Sequence, residues 1–462
     1  KNTSKATMMI TSIFRCLFAG LLVLNLASSI EHECNLRNGG CDEIEADDRD
    51  LGTTEFGTLY LDITNMGRSR RGKLSAIVER RNGVPLFLPW TQNFIKQQLR
   101  AGNFRNGKTK IRISGRPFDS KGQLMVPQSP RAMINRRGLQ ETREQRELTT
   151  TTNMEYAVFR IATIGNEPVA TEDEIRDAVF GTQGDSINLK SQYAACSFNK
   201  FVLLPSTKTT GTCVVNNGVM TLNVPVTLNS TLQHPQLLNQ AINAISTQCG
   251  AGKSFFSEKA LLWMPNEAFL DGSIGAGVYN GWAARCRDSY CQYSSLIMHE
   301  FGHTLGLSHS AMGTNEYQDT TGVMGYSYYQ DDSAVCFNGA KYWQLGWIND
   351  RLETVSSTTL LPVTVNLYAF TAYDPYANRP VLMELEGVTA NDNIYVMYNK
   401  ADSFNSDTKQ GRNLVTLTLV NDYIKFEPSQ ALARLGNGGS YTFSNFAGGR
   451  ALISVVADPQ QS

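Results

Sequence analysis

Histidine is scarce in this chain, with five among 462 residues, and three of the five fall within eleven positions. Long apolar runs are missing as well. The longest, Ile13 to Leu26, is shorter than the roughly 20 residues a bilayer span needs and is interrupted by Arg15. No later segment approaches that length and the tail "ISVVADPQQS" has no lipid-anchor signal, so no membrane span is expected. There is no internal repeat and no low-complexity tract, which excludes solenoid and fibrous architectures. Net charge is also absent, 42 basic residues against 42 acidic ones. With 41% hydrophobic and 18% charged residues, the composition is that of a folded globular chain and not a disordered one.

Cysteine is modest but patterned. The stretch "MMITSIFRCLFAGLLVLNLASSI", starting at Met8 or Met9, reads as a secretion signal, with Ala27 and Ser29 as small residues at a cleavage point. Loss of Cys16 with that signal leaves eight cysteines, an even number suited to disulfides in an exported protein. Cys34 and Cys41 flank "NLRNGG" and are expected to bridge locally. The other six (Cys196, Cys213, Cys249, Cys286, Cys291, Cys336) allow fifteen pairings, among which spacing does not choose. Asn229-Ser230-Thr231 is a glycosylation sequon in the exported part.

The zero net charge hides a division. Residues 68–137 carry 17 Lys and Arg against Glu79 and Asp119, a net of +15, whereas residues 138–462 carry 20 basic and 30 acidic residues, a net of −10. In an exported chain this reads as a basic prosegment drawn to the acidic domain it covers, with no nucleic-acid partner implied. Residues 51–127 alternate as short strands ("TLYLDI", "KLSAIVE", "VPLFLPW", "KTKIRIS", "GQLMVP"), which predicts a small β domain. The Arg- and Gln-rich stretch Gln128 to Thr152 reads as a linker, with Arg136-Arg137 and Arg146 as processing points. "RSRR" at 68–71 is either a convertase site or a basic hairpin turn. From Tyr156 to Trp347 strands such as "YAVFRIATI" and "KALLWMP" mix with helices such as "EDEIRDAVFG" and "HPQLLNQAINAISTQC". After Asn349 come "TVNLYAF", "NIYVMYN", "LVTLTLV", "YIKF", "SYTF" and "ALISVV", the alternation of a β-sandwich.

The clustered histidines lie in "SSLIMHEFGHTLGLSHS". On a helix capped by Ser294 or Ser295, His299 and His303 are four apart and share a face, about 6 Å from each other along the backbone. Two imidazoles so placed can meet one zinc ion at about 2.0–2.1 Å. A continuing helix would aim His309 elsewhere, but Gly306 accepts the positive φ that turns the chain back. The spacing H-E-x-x-H-x-x-G-x-x-H therefore describes three histidine ligands and an open fourth position, as in catalytic zinc sites, with Glu300 placed as general base. At this composition the pattern arises by chance on the order of once in a million chains of this length.

That extended motif resembles the metzincin metallopeptidases. "TGVMGYS", fifteen residues beyond His309, resembles their methionine turn, which makes Met324 a structural residue under the metal ligands. Within metzincins the chain is most similar to the gametolysin family of secreted algal peptidases, through "GTNEYQDTTGVMGYS", "CFNGAKYWQLGW" and "SQYAACSFNKFVLLP". It departs from that family at Thr321-Gly322, where a cysteine is expected before the turn. Tyr326 is either a tyrosine with a role at zinc, as the resemblance to some metzincins implies, or a packed aromatic, and "GSIGAGVYNGW" resembles an edge strand that pairs with an extended substrate. The glycines of that stretch lack the spacing of a nucleotide loop.

The expected fold is multidomain. A signal-bearing region spans residues 1–29, a basic β-rich propeptide and linker 30–147, an α+β metzincin-like catalytic domain 148–350, and a β-sandwich-like domain 351–462. The expected function is a secreted zinc endopeptidase acting on extracellular or cell-wall proteins, made as a zymogen with its own propeptide as inhibitor. The competing reading is an adhesion or glycan-binding protein with a vestigial zinc site; retention of Glu300 and all three histidines weighs against it.

Overall fold

The computed structural model describes residues 5–14, 32–35, 40–42, 55–65, 73–79, 85–88, 92–100, 110–113 and 132–134. It then describes 152–456, apart from breaks at 327–332, 357–358, 360–361, 387, 389–391, 422–426 and 447–448. "GQLMVP", "YIKF", "RSRR" and most of the Gln128 to Thr152 linker lie outside the described residues. No helix among those described is long and apolar enough to cross a membrane.

A ten-stranded mixed sheet organises the molecule. Its middle strand, Thr152–Ala162, runs parallel to Phe201–Pro205 and Val219–Asn223 on one side and to Lys259–Met264 on the other. Ala283–Arg287 follows in parallel, and Gly275–Tyr279, hereafter the rim strand, turns antiparallel beside it. Both faces of the middle strand are covered, which explains its near-continuous apolar run. Tyr156 and Val158 face a core that contains Tyr193, Leu296, Ile297 and Phe301, while Ala157, Phe159 and Ile161 face one built from Leu237, Leu238, Ala241 and Ile245.

The helices end where local chemistry ends them. Glu172–Phe180 starts with Thr171 and Glu174 forming a capping box and stops at Gly181, whose φ is 69°. His234–Cys249 stops at Gly250 in the same left-handed conformation. Three disulfides settle the pairing left open by sequence: Cys196–Cys336, Cys213–Cys249 and Cys286–Cys291. Cys34 lies opposite Cys41 in an antiparallel strand pair.

Upstream of the middle strand, residues 55–113 extend the main sheet, whereas His32–Asn35, Gly40–Asp42 and Ala132–Ile134 form a three-stranded sheet of their own. Glu55–Asn65 pairs antiparallel with the rim strand, Lys73–Glu79 and Pro85–Leu88 continue outward, and Lys110–Ile113 also pairs with Glu55–Asn65. A helix that alternation did not suggest, Gln92–Arg100, follows and buries Ile95.

Downstream, a six-stranded sheet and a four-stranded sheet enclose a third core that includes Ile394, Val396, Leu417, Ile453 and Val455. The six-stranded sheet begins with Ser310–Ala311, directly after the third clustered histidine. Helix Gly339–Leu345 packs on this sheet, with Trp343 stacked on Tyr395 at 4.7 Å. The first core runs from Met154 to Val420 and so crosses residue 350 without interruption. In the four-stranded sheet, Lys5–Phe14 lies between Val363–Tyr368 and Gly449–Val456. That is the front of the stretch read as a secretion signal; the remainder of that stretch lies outside the described residues.

Candidate metal centre

The motif helix runs Ser294–Thr304 and is buried throughout. Its N-cap is Tyr293 with no side-chain cap, so neither serine plays the capping part expected of it. The cause is positional: the amides of Leu296 and Ile297 already bond to the Tyr293 carbonyl, and Ser294 lies inside the first turn. The helix ends as the glycine spacing requires. Gly306 has φ 86°, its amide and that of Leu307 bond back to His303 and Gly302, and the chain reverses toward His309. Lys259 donates to the Thr304 carbonyl at 3.0 Å, a cation at the negative end of the helix dipole.

His299, His303 and His309 converge, with one ligand atom from each lying within 4.8 Å of the others. The outer nitrogens are engaged. His299 Nδ1–H donates to the Val323 carbonyl at 2.9 Å and His303 Nδ1–H to the Leu307 carbonyl at 2.7 Å. This fixes the tautomer and leaves each Nε2 as a bare acceptor, as metal ligands require. The Nε2 atoms of all three are buried and have no hydrogen-bond partner among the described residues. Burial holds His299 down to about 4 and pushes His303 and His309 well below the ordinary histidine range, so all three are neutral near pH 7. Three neutral, orphaned, convergent imidazoles fit a metal ion.

The surroundings hold these rings in place. A Cβ built on Gly302, between the first two histidines on the helix, would come within 2.6 Å of the Met324 sulfur, so that methionine packs directly beneath the helix. Ser310 donates its amide to Met324 O at 2.8 Å, and Ser429, from the six-stranded sheet, donates its amide to His309 O at 3.1 Å. Tyr317 lies against His309 at 4.0 Å between ring centroids, and Tyr326 stacks on its far side at 5.6 Å. The Tyr326 hydroxyl is engaged by Asn315, which donates to it at 3.0 Å. Tyr317 was not singled out in the sequence: it sits in "TNEYQ", where no spacing rule marks it. Lys341 is wholly buried behind the site and its burial lowers it to about 7.

Glu300 is buried next to His299, its side chain pressed against the rim strand. A Cβ on Gly275 would fall 2.6 Å from Glu300 Oε1, and one on Gly277 would fall 2.4 Å from the Glu300 carbonyl oxygen. Only glycine permits this approach. The upstream region also reaches the site. Lys96, on helix Gln92–Arg100, lies 3.9 Å from Glu316, whose carboxylate is 3.9 Å from His309 Nδ1.

Three convergent bare nitrogens define a site that could hold a metal ion, as metal-dependent enzymes do. The chain belongs to the gametolysin peptidase M11 family, a family of metallopeptidases whose model matches residues 154–414, more than half of its length. No curated protein matches it.

Proposed function

We propose that this protein is a secreted, zinc-dependent endopeptidase of the metzincin type, made as a zymogen and directed at extracellular or cell-wall proteins. The observation that carries the reading is the set of three buried, convergent histidines, two of them oriented by hydrogen bonds to backbone carbonyls, with buried Glu300 next to the first of them in the motif helix. The layout then reads as an upstream prosegment, a catalytic unit and a C-terminal β unit. His299, His303 and His309 would hold a zinc ion, which would supply Lewis acidity for water activation and carbonyl polarisation.

The chain's own groups do the rest. Glu300 accepts the proton of the attacking water and hands it to the departing amine nitrogen. The rim strand Gly275–Tyr279 offers its backbone to an extended substrate, which aligns the scissile bond beside Glu300. Met324, packed on Gly302, and Tyr317, packed on His309, keep the ligand rings from relaxing.

Latency follows from the upstream segment, which covers the rim strand through Glu55–Asn65 and reaches toward His309 through Lys96. Charge attraction between the basic and acidic parts is one contribution. The deepest ion pair between them has the opposite polarity, however, with upstream Asp62 against downstream Arg285.

The test is Glu300→Gln. It should retain the metal and lower peptide hydrolysis by about 10²–10⁴-fold. Casein digestion at the parental rate by the variant would refute the assigned role.

A further inference from the structure

We propose that Arg285 selects an acidic side chain, aspartate in preference to glutamate, on the N-terminal side of the bond that is cleaved. The proposal rests on the endopeptidase reading and names the substrate class of that same site.

The starting point is register. Glu55–Asn65 runs antiparallel along the rim strand, with Asp62 opposite Val278, Ile63 opposite Gly277 and Asn65 opposite Gly275. This is how an extended peptide adds to a sheet edge: the backbone gives affinity and alternate side chains give specificity. The upstream strand therefore lies where a substrate strand lies.

Alternation separates its side chains into two sets. Gly275 and Gly277 abut Glu300 and His303, so Ile63, paired with Gly277, belongs to the face of the motif helix. Val278 belongs to the core on the other face, and Arg285 is paired with Ala276 and shares that face. Asp62, opposite Val278, points there too.

What Asp62 meets is a built site. Arg285 is fully buried and donates from Nη1 to Asp62 Oδ1 at 2.9 Å and from Nη2 to Oδ2 at 2.5 Å. Its Nε donates to His234 Nδ1 at 2.8 Å. Burial lowers His234 to about 4, so it is neutral, and with Nδ1 accepting it carries its proton on Nε2. That nitrogen is 3.1 Å from Ser273 Oγ, which in turn donates to Asp271 at 2.6 Å. The His234 ring is stacked on Phe269 at 4.6 Å. Arg285 is thus oriented from behind by a one-way chain of hydrogen bonds, with its two terminal nitrogens aimed at the strand position beyond the rim.

Every member of that chain except Asp62 belongs to the residues downstream of the linker. When the upstream strand leaves, the fork keeps its aim and loses its carboxylate. A buried guanidinium without a partner is costly, and a planar fork is satisfied best by a carboxylate in bidentate contact. A substrate strand that takes the vacated place puts one side chain in the position of Asp62. An aspartate there reproduces the pair, a glutamate overshoots by a methylene, and an asparagine leaves the charge uncompensated. Asp62 comes just before Ile63–Asn65, the stretch that runs past Glu300, so the acid precedes the cleaved bond.

The test uses the full chain, nicked with trypsin after Arg15 and in the linker, and separated in high salt from the segment between the two cuts, so that Lys5–Phe14 stays in its sheet. Two readouts are taken. Cleavage is followed on peptides that differ only by Asp, Glu, Asn or Ala at successive positions before the cut. Binding is followed by fluorescence anisotropy with a synthetic strand of residues 55–65 and its Asp62→Asn form. At one position the aspartate peptide should exceed its asparagine counterpart by about tenfold or more in kcat/KM, with glutamate between them, and the native strand should bind about tenfold tighter than its variant. Arg285→Gln should abolish both preferences. Equal cleavage of Asp and Asn peptides at every position, or equal binding of the two strands, overturns the proposal, as does an Arg285→Gln protein with its preference intact. Should that variant fail to fold, the two parental readouts decide alone. Asp-dependent binding without cleavage of any peptide would support Arg285 as the acid-recognising residue and refute the endopeptidase reading.

Discussion

Two glycines on the rim strand allow the placement of Glu300, the proposed general base, to be tested apart from the proposed metal. In Gly275→Ala the new methyl would lie 2.6 Å from Glu300 Oε1 and 2.8 Å from its carboxyl carbon. Ordinary contact begins near 3.4 Å, so the carboxylate must retreat by 3.4 − 2.6 = 0.8 Å. It can do so because a side chain moves more cheaply than a backbone. A misplacement of about 1 Å in a catalytic group costs on the order of 10²-fold in rate. Gly277→Ala meets the Glu300 carbonyl oxygen at 2.4 Å and His303 Cβ at 2.6 Å, which belong to the body of the motif helix. Strand and helix must separate, at a cost of about 1–3 kcal/mol. The expected outcomes therefore differ in kind. Gly275→Ala keeps metal content and thermal midpoint while kcat/KM falls about 10²-fold; Gly277→Ala loses midpoint and metal retention together. Peptide hydrolysis, elemental analysis and calorimetry on the same preparations distinguish them. Parental activity in Gly275→Ala would show that the Glu300 carboxylate is not poised where this reasoning needs it.

Removal of metal with a chelator should abolish hydrolysis and lower the thermal midpoint, and zinc should restore both; a midpoint insensitive to chelation would contradict a metal-loaded core. Asp62→Asn leaves the buried Arg285 without its carboxylate and should destabilise the intact chain by about 3–5 kcal/mol, with earlier appearance of activity during tryptic processing; unchanged latency would count against the strand as a cover. Stability of the metal-free chain should fall with pH in a defined window. Burial depresses His234 and His299 to about 4 from the ordinary 6.5, so the unfolded chain binds protons first as pH drops. Stability is complete above about 6.5 and is lost progressively toward 4, and a midpoint that stays flat across that interval would refute the assignment.

The convergence of the three histidines was legible in the sequence because it is local. They and the turning glycine lie between positions 299 and 309, and helical geometry decides which of them meet. Met324 was reached through resemblance, and its packing on Gly302 gives the physical reason for a glycine inside the motif helix. Apolar periodicity also revealed the strands Thr152–Ala162 and Lys259–Met264 and the helices Glu172–Phe180 and His234–Cys249. What could not be read was long-range pairing. Asp62 and Arg285 are 223 residues apart, and nothing in either neighbourhood names the other. Alternation in Glu55–Asn65 announced a strand without saying which sheet it joins. Residue 350 marks a real change of local pattern, yet the core crosses it, because Tyr342 and Trp343 need the strands beyond to be buried. The serine cap failed for a smaller reason, as the helix begins one residue earlier than a side-chain cap would need.

A peptidase lives with its own activity, and the link between Cys196 and Cys336 bears on that. It joins positions 140 residues apart, and the span between them holds the rim strand, the motif helix, all three ligands and Met324. A stray cut in any exposed turn inside this span therefore yields two fragments still tethered to each other, with most noncovalent contacts undisturbed. Self-inflicted damage becomes a tolerable scar instead of a route to disassembly, for as long as the surroundings stay oxidising.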